Sequence, residues 1–250
     1  MYVVPNFAFT LLLLAGPMLR EEDTSTGQER AIAEILRVGG RVEVDQNRLG
    51  RPVLSVSLHC TQVTNADLVC LSGFTELKTI ELGGTKITDV GLTHVGGLTH
   101  LQKLDLNRTK VTGDGLVHLA GLKKLDTLNL RRTKLTDARL VHLHGLTKLQ
   151  SLDLSMTATT DAGLVHLKGL TDLRRLDLGL TEVSDGGLAH LIGLKRLRML
   201  DLNSTKVTNA GLAFLKGLSE LQELELIDTE VSDAGTKDLQ KSLPNLKIIH

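Results

Sequence analysis

Eight threonines stand 24 residues apart: Thr61, Thr85, Thr109, Thr133, Thr157, Thr181, Thr205 and Thr229. This period constrains the fold more than any other property of the chain. A repeat of this length is a supersecondary unit that cannot bury its apolar face alone and must stack on copies of itself, so it predicts a solenoid. Length alone, at 250 residues, leaves a globular domain and a repeat array equally open.

The units begin at Val53, Leu77, Leu101, Leu125, Leu149, Leu173, Leu197 and Leu221, and each follows L-x-x-L-x-L-x-x-T-x-V-[ST]-[DN]-x-G-L-x-x-L-x-G-L-x-x. In Leu101–Leu106 the apolar residues alternate, so Leu104 and Leu106 point into a core and Lys103 and Asp105 point out. Stacked copies then form one parallel sheet. In the second half of a unit Leu116 and Leu119 are three apart, as on one face of a short helix. Pairs such as Thr88–Asp89, Thr136–Asp137, Thr160–Asp161, Ser184–Asp185, Thr208–Asn209 and Ser232–Asp233 supply its N-cap. The glycine before the last leucine, from Gly73 to Gly217, is expected to end the helix in a left-handed conformation. Helices need more lateral room than strands, so the stack bends with its sheet on the concave side. Leucine rather than aromatic residues builds this core: aromatics are 2% and Trp is absent.

The frame resembles that of leucine-rich repeat proteins over about four fifths of the chain. The form T-K-V-T-D-A-G-L-x-H-L-x-G-L resembles the repeats of planctomycete-type bacterial proteins and, more distantly, F-box-associated repeat proteins. The resemblance implies an α/β fold, a right-handed βα horseshoe with a parallel concave sheet and short helices on the convex side. It also implies a non-enzymatic protein-interaction module. That family carries Asn at the turn where this chain has Thr. The Thr hydroxyl, one donor and two acceptors, is expected to build a similar but sparser ladder and to be structural.

Before the repeats, Val3–Leu19 is mostly apolar, without a basic residue ahead of Arg20, and Pro17 stands where a lipidated Cys would be needed. Residues 1–23 are read as a degenerate export signal with a polar linker, against the plainer alternative of an apolar tail. Residues 24–52 are expected to cap the array. Thr26–Glu29 fits a capping box, Ile32, Ile35, Leu36 and Val38 share one helix face, Gly39–Gly40 stops the helix, and Arg41–Asp45 alternates as a strand. Residues 53–250 hold the eight repeats and a final partial strand around Leu246–Ile249, with Leu243 one residue late in the frame and no separate C-terminal cap.

For function, the outward residue between the two core leucines is most informative: Ser57, Glu81, Asp105, Asn129, Asp153, Asp177, Asp201 and Glu225. Six of the eight are acidic, and carboxylates on neighbouring strands repel. Either this is copied consensus relieved by Lys103, Arg131, Arg132 and Arg175, or it is retained for a basic protein or peptide. A metal or catalytic carboxylate pair is the weakest alternative, since a glycosidase-like cleft and aromatic platform are missing. Arg108, Arg131, Arg132 and Arg175 are candidate anchors, Arg being frequent in hot spots.

A second column, Cys70, His94, His118, His142, His166 and His190, runs along the helical side. It is read as a half-exposed consensus position rather than a metal or pH-sensing line, because only neighbouring units approach closely enough to share an ion. Cys60 and Cys70 are expected to be free thiols. Lys+Arg and Asp+Glu both number 29, which argues against a phosphate-driven nucleic-acid binder. No catalytic motif, cofactor motif or small-molecule site stands out. The expectation is a monomeric, exported interaction module that takes a protein or peptide on its concave face. Its alternatives are a substrate receptor of a larger assembly and a structural envelope protein.

Overall fold

The structure, a computed structural model, describes the chain from Glu22 to His250; the apolar run and its export reading lie outside the described residues. Ten strands form one sheet in chain order: β1 (Arg41–Val44), β2 (Val53–Ser57), β3 (Thr79–Glu81), β4 (Lys103–Asp105), β5 (Thr127–Asn129), β6 (Ser151–Asp153), β7 (Arg175–Asp177), β8 (Met199–Asp201), β9 (Glu223–Glu225) and β10 (Lys247–Ile249). From β2 to β10 all neighbours are parallel, and the register equals the sequence period: Leu104 faces Leu128, Leu152 faces Leu176, Asp177 faces Asp201. β1 is the exception, pairing antiparallel with β2.

The core is a continuous leucine stack. Leu106, Leu116, Leu119 and Leu122 of one unit are fully buried, as are Leu154, Leu164, Leu167 and Leu170 of another. Burying one such side chain contributes about 1.5–3 kcal/mol, so the stack supplies most of the cohesion between layers.

The helical side departs from ordinary short α-helices. Most units carry a 3-10 segment: Asn65–Gly73, Asp89–His94, Asp114–Gly121, Asp137–Leu143, Val165–Leu167 and Gly211–Leu215. Two units contain a single α-helical turn, α2 (Asp161–Leu164) and α3 (Asp185–Leu188). The cause is in the spacing. Leu116, Leu119 and Leu122 are three apart, and a helix with 3.0 residues per turn eclipses positions i and i+3, whereas an α-helix rotates them around its axis. In the last unit the buried Leu239 and the C-cap residue Leu243 are four apart, and there the chain forms a ten-residue α-helix, α4 (Asp233–Ser242). The leucine that is late in the frame is therefore on time for an α-helix.

At the other end the helix of Glu22–Arg37, named α1, begins four residues ahead of Thr26, which lies inside it rather than at its cap. α1 lays Ala31 and Ile35 on the core. Gly39 ends it with φ +80°, and its N–H and that of Gly40 bond back to the carbonyls of Leu36 and Ile35. A Cβ on Gly40 would lie 2.6 Å from the Leu58 side chain, so β1 can approach the first repeat only with glycine there.

The expected left-handed glycines are not those before the last leucine; none of Gly73, Gly97, Gly121, Gly145, Gly169, Gly193 and Gly217 has positive φ. The left-handed residue precedes the repeated Thr, and in seven of eight units it is not glycine: Cys60, Arg108, Arg132, Met156, Leu180, Ser204 and Asp228, with φ of 53–57°. This conformation costs about 1–2 kcal/mol for an L-residue. Its return is a backbone bond to the next layer: the N–H of Arg108 to the Arg131 carbonyl at 2.9 Å, and of Leu180 to the Asn203 carbonyl at 2.8 Å. The repeated Thr closes the turn beside it. Thr109 Oγ1 donates to the Leu106 carbonyl at 2.7 Å, and the other units do the same. The Thr side chains thus bond within each layer; the ladder between layers is made by the backbone.

Candidate functional site

The acidic column lies at the C-terminal ends of the strands. The four aspartates of the column each first serve their own turn. Asp105 accepts from the Asn107 N–H at 2.9 Å, Asp153 from Ser155 N–H at 2.9 Å, Asp177 from Gly179 N–H at 3.0 Å and Asp201 from Asn203 N–H at 2.8 Å. Asn129 does likewise with the Arg131 N–H. These are Asx turns, which carry the chain out of the strand. The preference for Asp or Asn in this column thus has a local cause that alternation alone does not reveal.

The register places Asp153, Asp177, Asp201 and Glu225 side by side on β6 to β9. Asp177 is 7% exposed. Burial, the Asp153 charge and the Asp201 charge push its carboxyl up to about 6, against the Gly179 N–H and Arg175, which lower it. Burial also raises Asp201, opposed by the Asn203 N–H and reinforced by Glu225. Glu225 accepts from Asn203 Nδ2 at 2.7 Å. Arg175, exposed at the start of β7, is the cation whose charge reaches this row. Gly179 lets the carboxylates of Asp177 and Asp201 close in on the backbone; a Cβ there would lie 3.2 Å from Asp201 Oδ1 and 3.3 Å from Asp177 Oδ1.

The other candidates are dispersed. Glu81 is exposed on β3 and Lys103 is exposed at the start of β4, two strands or more from the central row. Arg131 is half-buried and donates to Ser155 Oγ at 3.0 Å. Arg108 and Arg132 sit past the strand ends, in the left-handed turn, with their side chains exposed. The structure therefore gathers Asp153, Asp177, Asp201, Glu225 and Arg175 and separates the rest.

The paired Ser/Thr–Asp/Asn residues do more than start helices. Asp161 Oδ1 accepts from the Ser184 N–H at 2.7 Å, and its Oδ2 from the Ser184 hydroxyl at 2.5 Å. Asp137 holds Thr160 in the same way, Asp185 holds Thr208, Asn65 holds Thr88 and Asn209 holds Ser232. Side-chain caps of the expected kind occur only in part, as with Thr160 and the Ala162 N–H at 3.3 Å. These bonds rivet one layer to the next. Asp89 also takes the N–H groups of Thr112, Gly113 and Gly115; burial pushes its carboxyl up, but those donors outweigh it and hold it below the usual range.

On the helical side His94, His142, His166 and His190 are half-buried and His118 is exposed. Among the described residues no three His, Cys, Asp or Glu side chains converge on a position for a metal ion. Both cysteines are free, and burial raises the Cys70 thiol, the opposite of an activated nucleophile. A cleft of about 320 Å3 lies between α1 and the first repeat, lined by Ile35, Val38, Leu58, Val63 and Cys70 among others. It is remote from the acidic row. Among the described residues no helix is long and apolar enough to cross a membrane.

A family model for a leucine-rich repeat region matches residues 53–250. Among solved structures, an internalin (inlC2) from Listeria monocytogenes aligns over 91% of both chains with a TM-score of 0.63 at 26% identity. A second internalin (inlF) from the same organism aligns over 78% of this chain with a TM-score of 0.59 at 24% identity, and the chain spans 60% of its length. No curated protein matches. The narrower likeness to planctomycete-type and F-box-associated repeats rests on the residues of the repeat alone.

Proposed function

The chain belongs to the leucine-rich repeat family, a fold that typically serves protein–protein recognition, and from that premise we propose that it is a non-enzymatic module holding a protein or peptide on the exposed face of its sheet. The observation that carries this reading is Asp177. A carboxyl pushed up to about 6 between two other aspartates is compensated by Arg175 only in part. A lysine or arginine side chain from a partner, laid across β6 to β8 above Gly179, supplies it. Arg175 at the edge of the row fixes orientation by donating to a carboxylate or carbonyl oxygen of the same segment. The absence of Trp and the single Tyr in the chain favour a modest, salt-sensitive affinity over an aromatic hot spot.

The layout that goes with it is an export segment and linker at 1–23, a helix–strand cap at 24–52 and the binding array at 53–250, acting as a monomer outside the cytoplasm. The test is affinity capture with the full chain, with partners identified by mass spectrometry, alongside a variant carrying Asp153→Lys and Asp201→Lys. Both positions are half-buried on the sheet face, and circular dichroism checks the fold. The variant should lose the captured partner. Equal recovery by both proteins would falsify the assignment to this row.

A further inference from the structure

The helix layer carries a second surface of different character. The stretches 117–124, 141–148, 165–172, 189–196 and 213–220 run from the helical turn toward the next strand in five successive units. Together they hold seven Lys and Arg against two acids, in a chain with 29 of each. The acids are already paired: Asp172 lies 2.5 Å from Arg196 and 3.4 Å from Lys148, and Glu220 lies 3.2 Å from Arg198. Lys123, Lys124 and Lys168 are exposed and form no ion pair among the described residues. The equivalent stretches of the first two units, 69–76 and 93–100, contain neither Lys nor Arg, so the surface begins at the third unit.

The same surface exposes Val117, Val141, Val165, Ile192 and Phe214, each 40–51% accessible. The 24-residue period aligns Val117, Val141 and Val165 along it. Exposed cations and protruding apolar side chains in the same layer of successive units match the requirements of a bilayer interface, where ammonium groups meet anionic headgroups and apolar groups enter the acyl boundary. A protein partner fits this composition poorly. Protein interfaces are depleted in Lys and enriched in Arg, Tyr and Trp, whereas this surface has six lysines, one arginine and neither Tyr nor Trp. A soluble polyanion would leave the apolar groups without a role.

We propose that the helix-layer surface of the third to seventh repeats docks peripherally on an anionic lipid bilayer, leaving the sheet face free. The test is co-sedimentation of the full chain with vesicles of phosphatidylcholine, and of phosphatidylcholine with about one third phosphatidylserine, at low and physiological salt. Binding is expected on the anionic vesicles only, weakening as salt rises. The variant Lys123→Glu/Lys124→Glu/Lys168→Glu should partition about a hundredfold worse, at roughly fivefold for each of the three charges removed from the surface. It shares residues 1–21 with the parent, so binding driven by that apolar run would persist in the variant and on neutral vesicles, and either result overturns the proposal. So does binding to soluble polyglutamate in place of vesicles. All three lysines are exposed, and an unchanged melting temperature certifies the fold. The sheet-face variant Asp153→Lys/Asp201→Lys should bind vesicles at least as well as the parent; if it loses binding, the surface is wrongly placed.

Discussion

Gly113 and Arg139 exchange the parts that an Asp or Asn and a glycine play at the other six repeat junctions. At those junctions the Asp or Asn side chain of one unit, for example Asn65, packs against a glycine of the next, here Gly91, where a Cβ would lie 2.8 Å from Asn65 Oδ1. At the third junction the first position is Gly113, with φ +106°, and a Cβ on it would lie 2.6 Å from the Cβ of Arg139. Arg139 pairs instead with Asp114 at 2.7 Å. The two sites therefore form one steric unit. Gly113→Asp alone should destabilise by about 2–3 kcal/mol, from the clash and the left-handed backbone. Arg139→Gly alone should cost about 1 kcal/mol, from an exposed ion pair and glycine's entropy. The double variant restores the neighbours' motif and should be more stable than the sum by about 1–3 kcal/mol. Urea midpoints of the four proteins measure this, and strict additivity would show the exchange to be accidental.

The rivets between layers make a chemical prediction. Asp161→Ala leaves the Ser184 N–H and hydroxyl without their acceptor and should lower stability by about 1–3 kcal/mol. Asp161→Asn should cost much less, because Asn65 and Asn209 perform this task with one amide oxygen and one amide nitrogen. Equal losses for the two variants in thermal unfolding would refute the geometry.

Asp177 gives the molecule a pH dependence of unusual sign. Its carboxyl takes up a proton near pH 6 in the folded chain, against about 3.9 in the unfolded chain. Between these values the folded state binds more protons, so stability falls as pH rises from about 4 to about 6 and stays reduced above. Asp177→Asn keeps the acceptor for the Gly179 N–H, as Asn129 does for Arg131. It should gain on the order of 1–2 kcal/mol at pH 7 and almost nothing at pH 4. Melting curves at the two pH values decide the matter; a gain that is the same at both points to packing instead of charge.

Leu180 is exposed and left-handed, with φ 57°. Leu180→Gly removes the steric cost at the price of a looser unfolded chain, and should leave stability unchanged or raise it by up to about 1 kcal/mol. A clear loss of melting temperature would mean that the leucine packs against something the solvent exposure hides.

Much of the architecture was legible because the period, the L-x-L alternation and the Gly39–Gly40 stop each act locally. The helix type was also written in the chain, in leucines three apart rather than four, but the ordinary association of i, i+3 spacing with α-helices hides it. The Asp–hydroxyl rivets and the glycine that accommodates them depend on residues 23 to 26 positions apart and become visible only when the layers are in register. For the acidic column, alternation predicts the exposed face. It does not predict that Asp105 and Asp153 close their own turns, nor that Asp177 is buried among its neighbours while Glu81 is open to solvent.

The reversed first strand has a consequence for assembly. A solenoid of self-similar layers invites another copy to stack on its end and continue the array indefinitely. A further parallel layer needs evenly spaced, slanted backbone bonds, whereas β1 runs against β2, with a slip between Glu43 and Val44 and an exposed Arg41 on its course. The array therefore has polarity: at the side of its first repeat, growth by the repeat's own rule comes to a halt after one strand.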